Sequence, residues 1–127
     1  MILIDSSGWL EFFADGPNAR LFAEPILHND PHNLIVPTII MYELFKKIAL
    51  DRGENIAIFT VGQLKNFHII PLEEDIAIAA AKVSMVHRLP MADSIILATA
   101  QKYDAVIWTQ DEDFKNLPYV KFIPKKK

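Results

Sequence analysis

Five short apolar runs punctuate this chain, and longer stretches of helical character separate them. The runs are Met1–Ile4, Leu34–Val36, Phe67–Ile70, Ala105–Trp108 and Val120–Ile123. Each is the length of a strand and too short for a buried helix. Strands alternating with helices argue for a parallel sheet covered on both faces. The expected fold class is therefore α/β: a three-layer α/β/α arrangement with a central, mostly parallel sheet of about five strands. Right-handed crossovers then bring the C-terminal ends of the strands to one edge, where such sheets bind ligands. A length of 127 residues suits one domain, expected to span 1–127.

The intervening helices follow from capping and periodicity. Ser7 to about Ala14 is predicted helical, with Ser7 as a possible cap and Leu10, Phe13 and Ala14 as its apolar stripe. Asp15-Gly16-Pro17 breaks it, and Asn18 to about His28 reads as a second helix. Asn29–Asn33 contains Asp-Pro and reads as a loop. Thr38–Leu50 follows Pro37 and carries Ile40, Leu44 and Ile48 at i, i+4, i+8. Asn55 to about Asn66, Leu72–Arg88 and Ala92–Tyr103 complete the set. Glu73, Glu74 and Asp75 sit in the first turn of the longest of these, where the helix dipole favours them.

Four acids fall at strand ends or on helices next to that edge: Asp5, Glu43, Asp93 and Asp111. Each has a local explanation. Asp5, with Ser6 and Ser7, could cap the first helix. Glu43 could pair with Lys46 or Lys47 along its helix, for a few tenths of a kcal/mol. Asp93 could be an N-cap, and Asp111 could head an Asx-type turn. Local capping does not explain why all four fall at one edge of the inferred sheet. A carboxylate cluster does, and it is stable with hard divalent cations between the charges. That is the outline of a site for metal-assisted attack on a phosphodiester. Asp113, two positions beyond Asp111, is expected to support this site or to cap the next turn.

Composition narrows the choices. Cysteine is absent, so disulfides and zinc–thiolate centres are excluded. No apolar run reaches the ~18 residues of a membrane span. Asp5 interrupts the first apolar run and no basic region precedes it, so it does not read as a signal peptide; a cytoplasmic protein is expected. The formal charge of −3 looks unsuited to nucleic acid. Setting aside Asp5, Glu43, Asp93, Asp111 and Asp113 leaves a slight positive excess elsewhere, because 13 residues are basic and 16 acidic. Lys46, Lys47 and Arg52 are candidate contacts to nucleic-acid phosphates, with a solvated helix face as the plainer reading. The terminal Lys125-Lys126-Lys127 reads as a solvated, frayed tail. Apolar residues at 51% leave some available for a partner surface.

Several rival sites lack their motifs. Asp5-Ser6-Ser7 is not the Asp-x-Asp of haloacid-dehalogenase-like phosphatases. A response-regulator receiver needs an acidic pair there and a late lysine. Neither G-x-x-x-x-G-K-[ST] nor G-x-G-x-x-G occurs, and His28, His32, His68 and His87 form no H-E-x-x-H.

The chain resembles the PIN domain, and within it the short VapC-type toxins of toxin–antitoxin pairs. The resemblance rests on Ile2-Leu3-Ile4-Asp5-Ser6-Ser7, on the Glu43 helix after Val36-Pro37-Thr38, on Met91-Ala92-Asp93-Ser94-Ile95-Ile96-Leu97-Ala98-Thr99-Ala100, and on Trp108-Thr109-Gln110-Asp111-Glu112-Asp113-Phe114. It implies Asp5, Glu43, Asp93 and Asp111 as catalytic metal ligands, with Ser7, Thr109 and Asp113 in support. It also implies a Mg²⁺- or Mn²⁺-dependent endoribonuclease, a homodimer, and inhibition by a small VapB-like antitoxin. A non-catalytic PIN-like module binding RNA or protein is the alternative, and a flap-type DNA nuclease a weaker one.

Overall fold

The computed structural model describes residues 1–126. Five strands form one sheet: β1 (Ile2–Ile4), β2 (Leu34–Pro37), β3 (His68–Ile70), β4 (Val106–Thr109) and β5 (Val120–Phe122). Their spatial order is β3-β2-β1-β4-β5, and every pairing is parallel, so the sheet expected to be mostly parallel is wholly so. Six helices flank it: α1 (Ser6–Phe13), α2 (Ala19–Leu27), α3 (Thr38–Arg52), α4 (Glu54–Gly62), α5 (Glu74–His87) and α6 (Met91–Lys102). The architecture is the expected α/β/α sandwich.

Connectivity explains where a site can form. From β1 the chain steps outward through β2 to β3, then returns across the sheet to β4 and β5 on the other side of β1. Right-handed crossovers in opposite directions place α1–α4 on one face and α5–α6 on the other. β1 and β4 are neighbours whose chains leave in opposite directions. Their C-terminal ends flank the topological switch point, where an open α/β sheet leaves a crevice.

The elements follow local chemistry. All four residues of β2 are buried, as a central strand covered on both faces requires. Helix α3 runs two residues beyond the expected end and stops at Gly53, whose φ of +93° few other residues adopt. The helix expected over Asn55–Asn66 is α4 followed by a 3₁₀ turn, Gln63–Asn66. The loop Asn29–Asn33 holds another such turn, Pro31–Asn33, capped by the Asp30 side chain.

The core joins Leu3 and Ile4 of β1, Trp9 of α1, Phe22 of α2, Ile40 and Leu44 of α3, and Ile96 of α6. Trp9 stacks on Phe13 at 5.7 Å and meets Phe67 at 5.5 Å between ring centroids. Gly8 lies where α1 crosses this packing. A Cβ there would stand 2.6 Å from Ile4 Cγ2 and 2.6 Å from Phe22 Cε1. Gly8→Ala is therefore expected to destabilise the fold by about 1–3 kcal/mol through overpacking. A thermal melt checks this, and an unchanged midpoint would show that α1 can shift away freely. Among the described residues, no helix is long and apolar enough to cross a membrane.

Candidate metal centre at the switch point

Asp5 leaves β1 and caps α1, its side chain accepting from Gly8 N at 3.2 Å. The capping role belongs to Asp5, then, and not to Ser7. Ser7 Oγ donates to Asp5 Oδ1 at 2.6 Å, and Thr109 Oγ1 at the end of β4 donates to Oδ2 at 2.7 Å. Asp5 is only 2% exposed. Its burial pushes the carboxyl pKa up, while the three donors favour the charged form; Asp111 adds repulsion. Burial prevails, so this group is held where water cannot compensate its charge.

The same hydroxyls set the neighbouring loop. Thr109 Oγ1 accepts from Asp111 N at 2.8 Å, and Ser7 Oγ accepts from Gln110 N at 3.0 Å. Both are pivots between the end of β1 and the end of β4. Thr109→Val would leave Asp5 Oδ2 without a donor and Asp111 N without an acceptor. Its expected cost is about 1–3 kcal/mol, with Thr109→Ser largely restoring stability. A denaturant titration of both variants checks this; equal losses would mean that the methyl group, not the hydroxyl, matters.

Asp93 lies in the first turn of α6, whose N-cap position is Pro90. Capping therefore does not account for this acid. It is half-buried, and its pKa is pushed up to about 7, first by burial, then by repulsion from Asp111 and Asp113, a hydrogen bond with Asp113, and Glu43. Asp111 heads a 3₁₀ turn, Glu112–Phe114, and accepts from Asp113 N at 2.9 Å. That turn brings two acids round to one side. Asp93, Asp111 and Asp113 each offer a carboxylate oxygen, and these lie within 4.8 Å of one another. The tightest convergence thus includes Asp113, which the sequence reading gave a supporting part.

Glu43 does not pair along its helix. Lys47 meets Asp51 at 3.5 Å, and Lys46 sits 5.9 Å from the centre of the Tyr42 ring. Glu43 Oε1 is buried and without a hydrogen-bond partner among the described residues. Burial raises its pKa first; the Ser6 hydroxyl lowers it, and Asp5 and Asp111 raise it again. Asp5, Glu43 and Asp93 are therefore all pushed up by one crowded, partly dehydrated acidic cluster, with Asp111 a charged neighbour of each. An unpartnered buried carboxylate oxygen and three converging carboxylates could hold a hard divalent cation.

Of the candidate RNA contacts, Lys47 lines a groove beside Ser7. Lys46 lines an apolar hollow with Tyr42 and Leu50, and Arg52 lines one with Leu10 and Phe13.

Comparison with known proteins agrees with this geometry. The PIN domain family model matches residues 2–119. No curated protein matches the chain in sequence. Among solved structures, a toxin–antitoxin complex from Klebsiella pneumoniae aligns at 25% identity with TM-score 0.78, over 95% of this chain and 96% of that one. FitAcB from Neisseria gonorrhoeae aligns at 25% identity with TM-score 0.76, over 98% of each chain. VapC20 of Mycobacterium tuberculosis, a Sarcin-Ricin loop cleaving toxin, shares 15% identity with TM-score 0.81, over 98% of this chain and all of that one; at that identity it shows the fold alone. A parallel sheet in this strand order, acids gathered at its switch point, and a family match over nearly the whole length place the chain in the PIN domain family.

Proposed function

We propose that the chain is a divalent-metal-dependent endoribonuclease of the cytoplasm, the toxin of a toxin–antitoxin pair. The observation that carries this reading is the cluster itself. Five carboxylates repel one another across a single cluster, three of them offer oxygens within 4.8 Å of one another, and one buried oxygen, Glu43 Oε1, has no partner among the described residues. Such an arrangement is unfavourable for the protein alone and suited to a cation. The Klebsiella relative, a toxin–antitoxin complex, supports the toxin assignment.

Asp5, Glu43, Asp93 and Asp111 would hold Mg²⁺ or Mn²⁺, and Asp113 stands close enough to Asp93 and Asp111 to join them. When bound, the cation would lower the pKa of a water towards neutrality and neutralise charge on the phosphoryl oxygens. The protein's own residues do the rest. Ser7, Thr109 and Gly8 N–H hold Asp5 in one orientation. Thr109 fixes the backbone that carries Asp111. With its pKa raised to about 7, Asp93 is only partly ionised near neutral pH and would shed its remaining proton on holding a cation, because ligands bind cations deprotonated. With the reacting groups fixed in advance, little reorganisation remains for the chemical step.

Exposed apolar side chains support protein partners. Tyr42, Leu50 and Phe59 stand out from α3 and α4, and Met85, Val86 and Met91 from the α5–α6 region. A small VapB-like antitoxin and a second copy of the chain are the partners proposed. The test is incubation of purified protein with total RNA in Mn²⁺ and in EDTA. Cleavage confined to Mn²⁺ is the expected result. A protein that binds Mn²⁺ yet cuts no RNA would overturn the reading in favour of a non-catalytic binding module.

A further inference from the structure

An open groove of about 430 Å³ adjoins the metal centre on the side of Ser7, and it is lined by Ser7, Glu11, Lys47, Asp51, Lys125 and Lys126 among others. Two of its lysines come from the C-terminal segment that the sequence alone suggests is frayed. The residue just before them, Pro124, is tied to the body of the fold, and Lys127 lies outside the described residues. Asn18, 1% exposed, donates from Nδ2 to the Pro124 carbonyl at 2.9 Å and to Gln110 Oε1 at 2.7 Å. Gln110 in turn gives its backbone N–H to Ser7 Oγ, the hydroxyl that holds Asp5. The chain immediately before Lys125 is thus tied, through Asn18, Gln110 and Ser7, to the same network as the carboxylates.

Charge makes this placement consequential. The centre is crowded with acids, and RNA brings more negative charge. A strand can settle there only if cations on the protein meet the phosphates that flank the reacting one. Among the described residues, neither Lys125 nor Lys126 is in an ion pair. Lys47 meets only Asp51, across a weak, exposed contact. Glu11 is already engaged, accepting from Asn18 N at 2.8 Å. The groove therefore carries a small net positive charge and borders the site through Ser7, whose hydroxyl holds Asp5.

Resting on the ribonuclease reading, we infer that Lys125 and Lys126, anchored by the Asn18–Pro124 contact, form with Lys47 a phosphate-binding track for the RNA strand beside the scissile bond. The three lysines bind substrate, and Asn18 is a positioning residue that acts through the tail.

The experiment compares full-length wild type with Lys125→Gln/Lys126→Gln, Lys47→Gln and Lys125→Arg/Lys126→Arg. Binding of a mixed-sequence oligoribonucleotide is measured in Ca²⁺ across a salt series, and cleavage kinetics in Mn²⁺. Each lost phosphate contact on a single strand should reduce the slope of log K against log [salt] by about 0.7, so the double variant should lose about 1.4. Its kcat/KM should fall roughly tenfold, mostly through KM, as expected for contacts that position rather than react. The double Arg variant should behave like wild type. These side chains are exposed, so melting temperatures should not change. If wild type binds and cuts RNA but the Gln variants keep its slope and KM, the track is overturned and the ribonuclease reading stands. If wild type neither binds nor cuts RNA, both fall. Unchanged RNA binding with weakened binding of a Glu-rich peptide would assign the groove to an acidic protein partner and also overturn the proposal.

Discussion

Asp93→Asn is expected to lower Mn²⁺-dependent RNA cleavage by about 10²–10³-fold while leaving the fold intact. The magnitude is that of removing one preorganised charge-stabilising group from an active site. Asp93 is one of three carboxylates converging within 4.8 Å, and an amide in its place has no charge to offer a cation. The metal-free protein should tolerate the change well, because Asp93 ionises against its surroundings. Its folded pKa of about 7 lies above the ordinary 3.8. Between those values the folded state binds more protons than the unfolded one, so stability falls as pH rises through that window and levels off above it. Asp93→Asn should flatten that slope. Metal-free melting curves from pH 4 to 8, alongside cleavage rates, check both parts. A variant that still cuts at the wild-type rate would remove Asp93 from the site.

Millimolar Mn²⁺ should raise the melting temperature of wild type markedly. A ligand held at a hundred times its Kd stabilises the folded state by about 2.7 kcal/mol, which for a chain of this size is roughly 10 °C. Part of the gain is relief of repulsion among Asp5, Glu43, Asp93 and Asp111. The shift should be larger at pH 8 than at pH 6, because near pH 6 Asp93 must first lose a proton. Glu43→Gln should shrink it, since Glu43 Oε1 is the buried oxygen that lacks a partner. Thermal melts with and without Mn²⁺ at both pH values decide the matter. No shift at either pH would sink the metal centre.

Much of the fold was legible because it rests on local pattern. Short apolar runs alternating with amphipathic stretches dictate a covered parallel sheet, and Gly53 and Pro37 mark where helices stop and start. Asp5 and Asp111 could be placed at the sheet edge because each follows directly on a strand. Errors came where two local signals competed. Ser7 and Asp5 both suit a cap; the structure gives the cap to Asp5 and uses the Ser7 hydroxyl to hold it. A cap was one local reading of Asp93 beside its assignment to the site; Pro90 takes the N-cap position, so capping does not account for this acid.

What the chain's order of residues determined alone was the class of fold, the edge at which a site could form and the acidic chemistry gathered there. Those follow from periodicity, crossover handedness and residue type, all of which act over short spans or obey general rules. Tertiary structure alone decided which acids converge, because the turn at Glu112–Phe114 swings Asp113 towards Asp93, twenty positions back in the chain. It alone buried Glu43 Oε1 where no hydrogen-bond partner among the described residues meets it. And it alone tied down Pro124, just before the terminal lysines, since Asn18 reaches it across 106 positions of sequence. Contacts between residues so far apart leave no local signature; they exist only once the strands have paired and the helices have packed on the sheet.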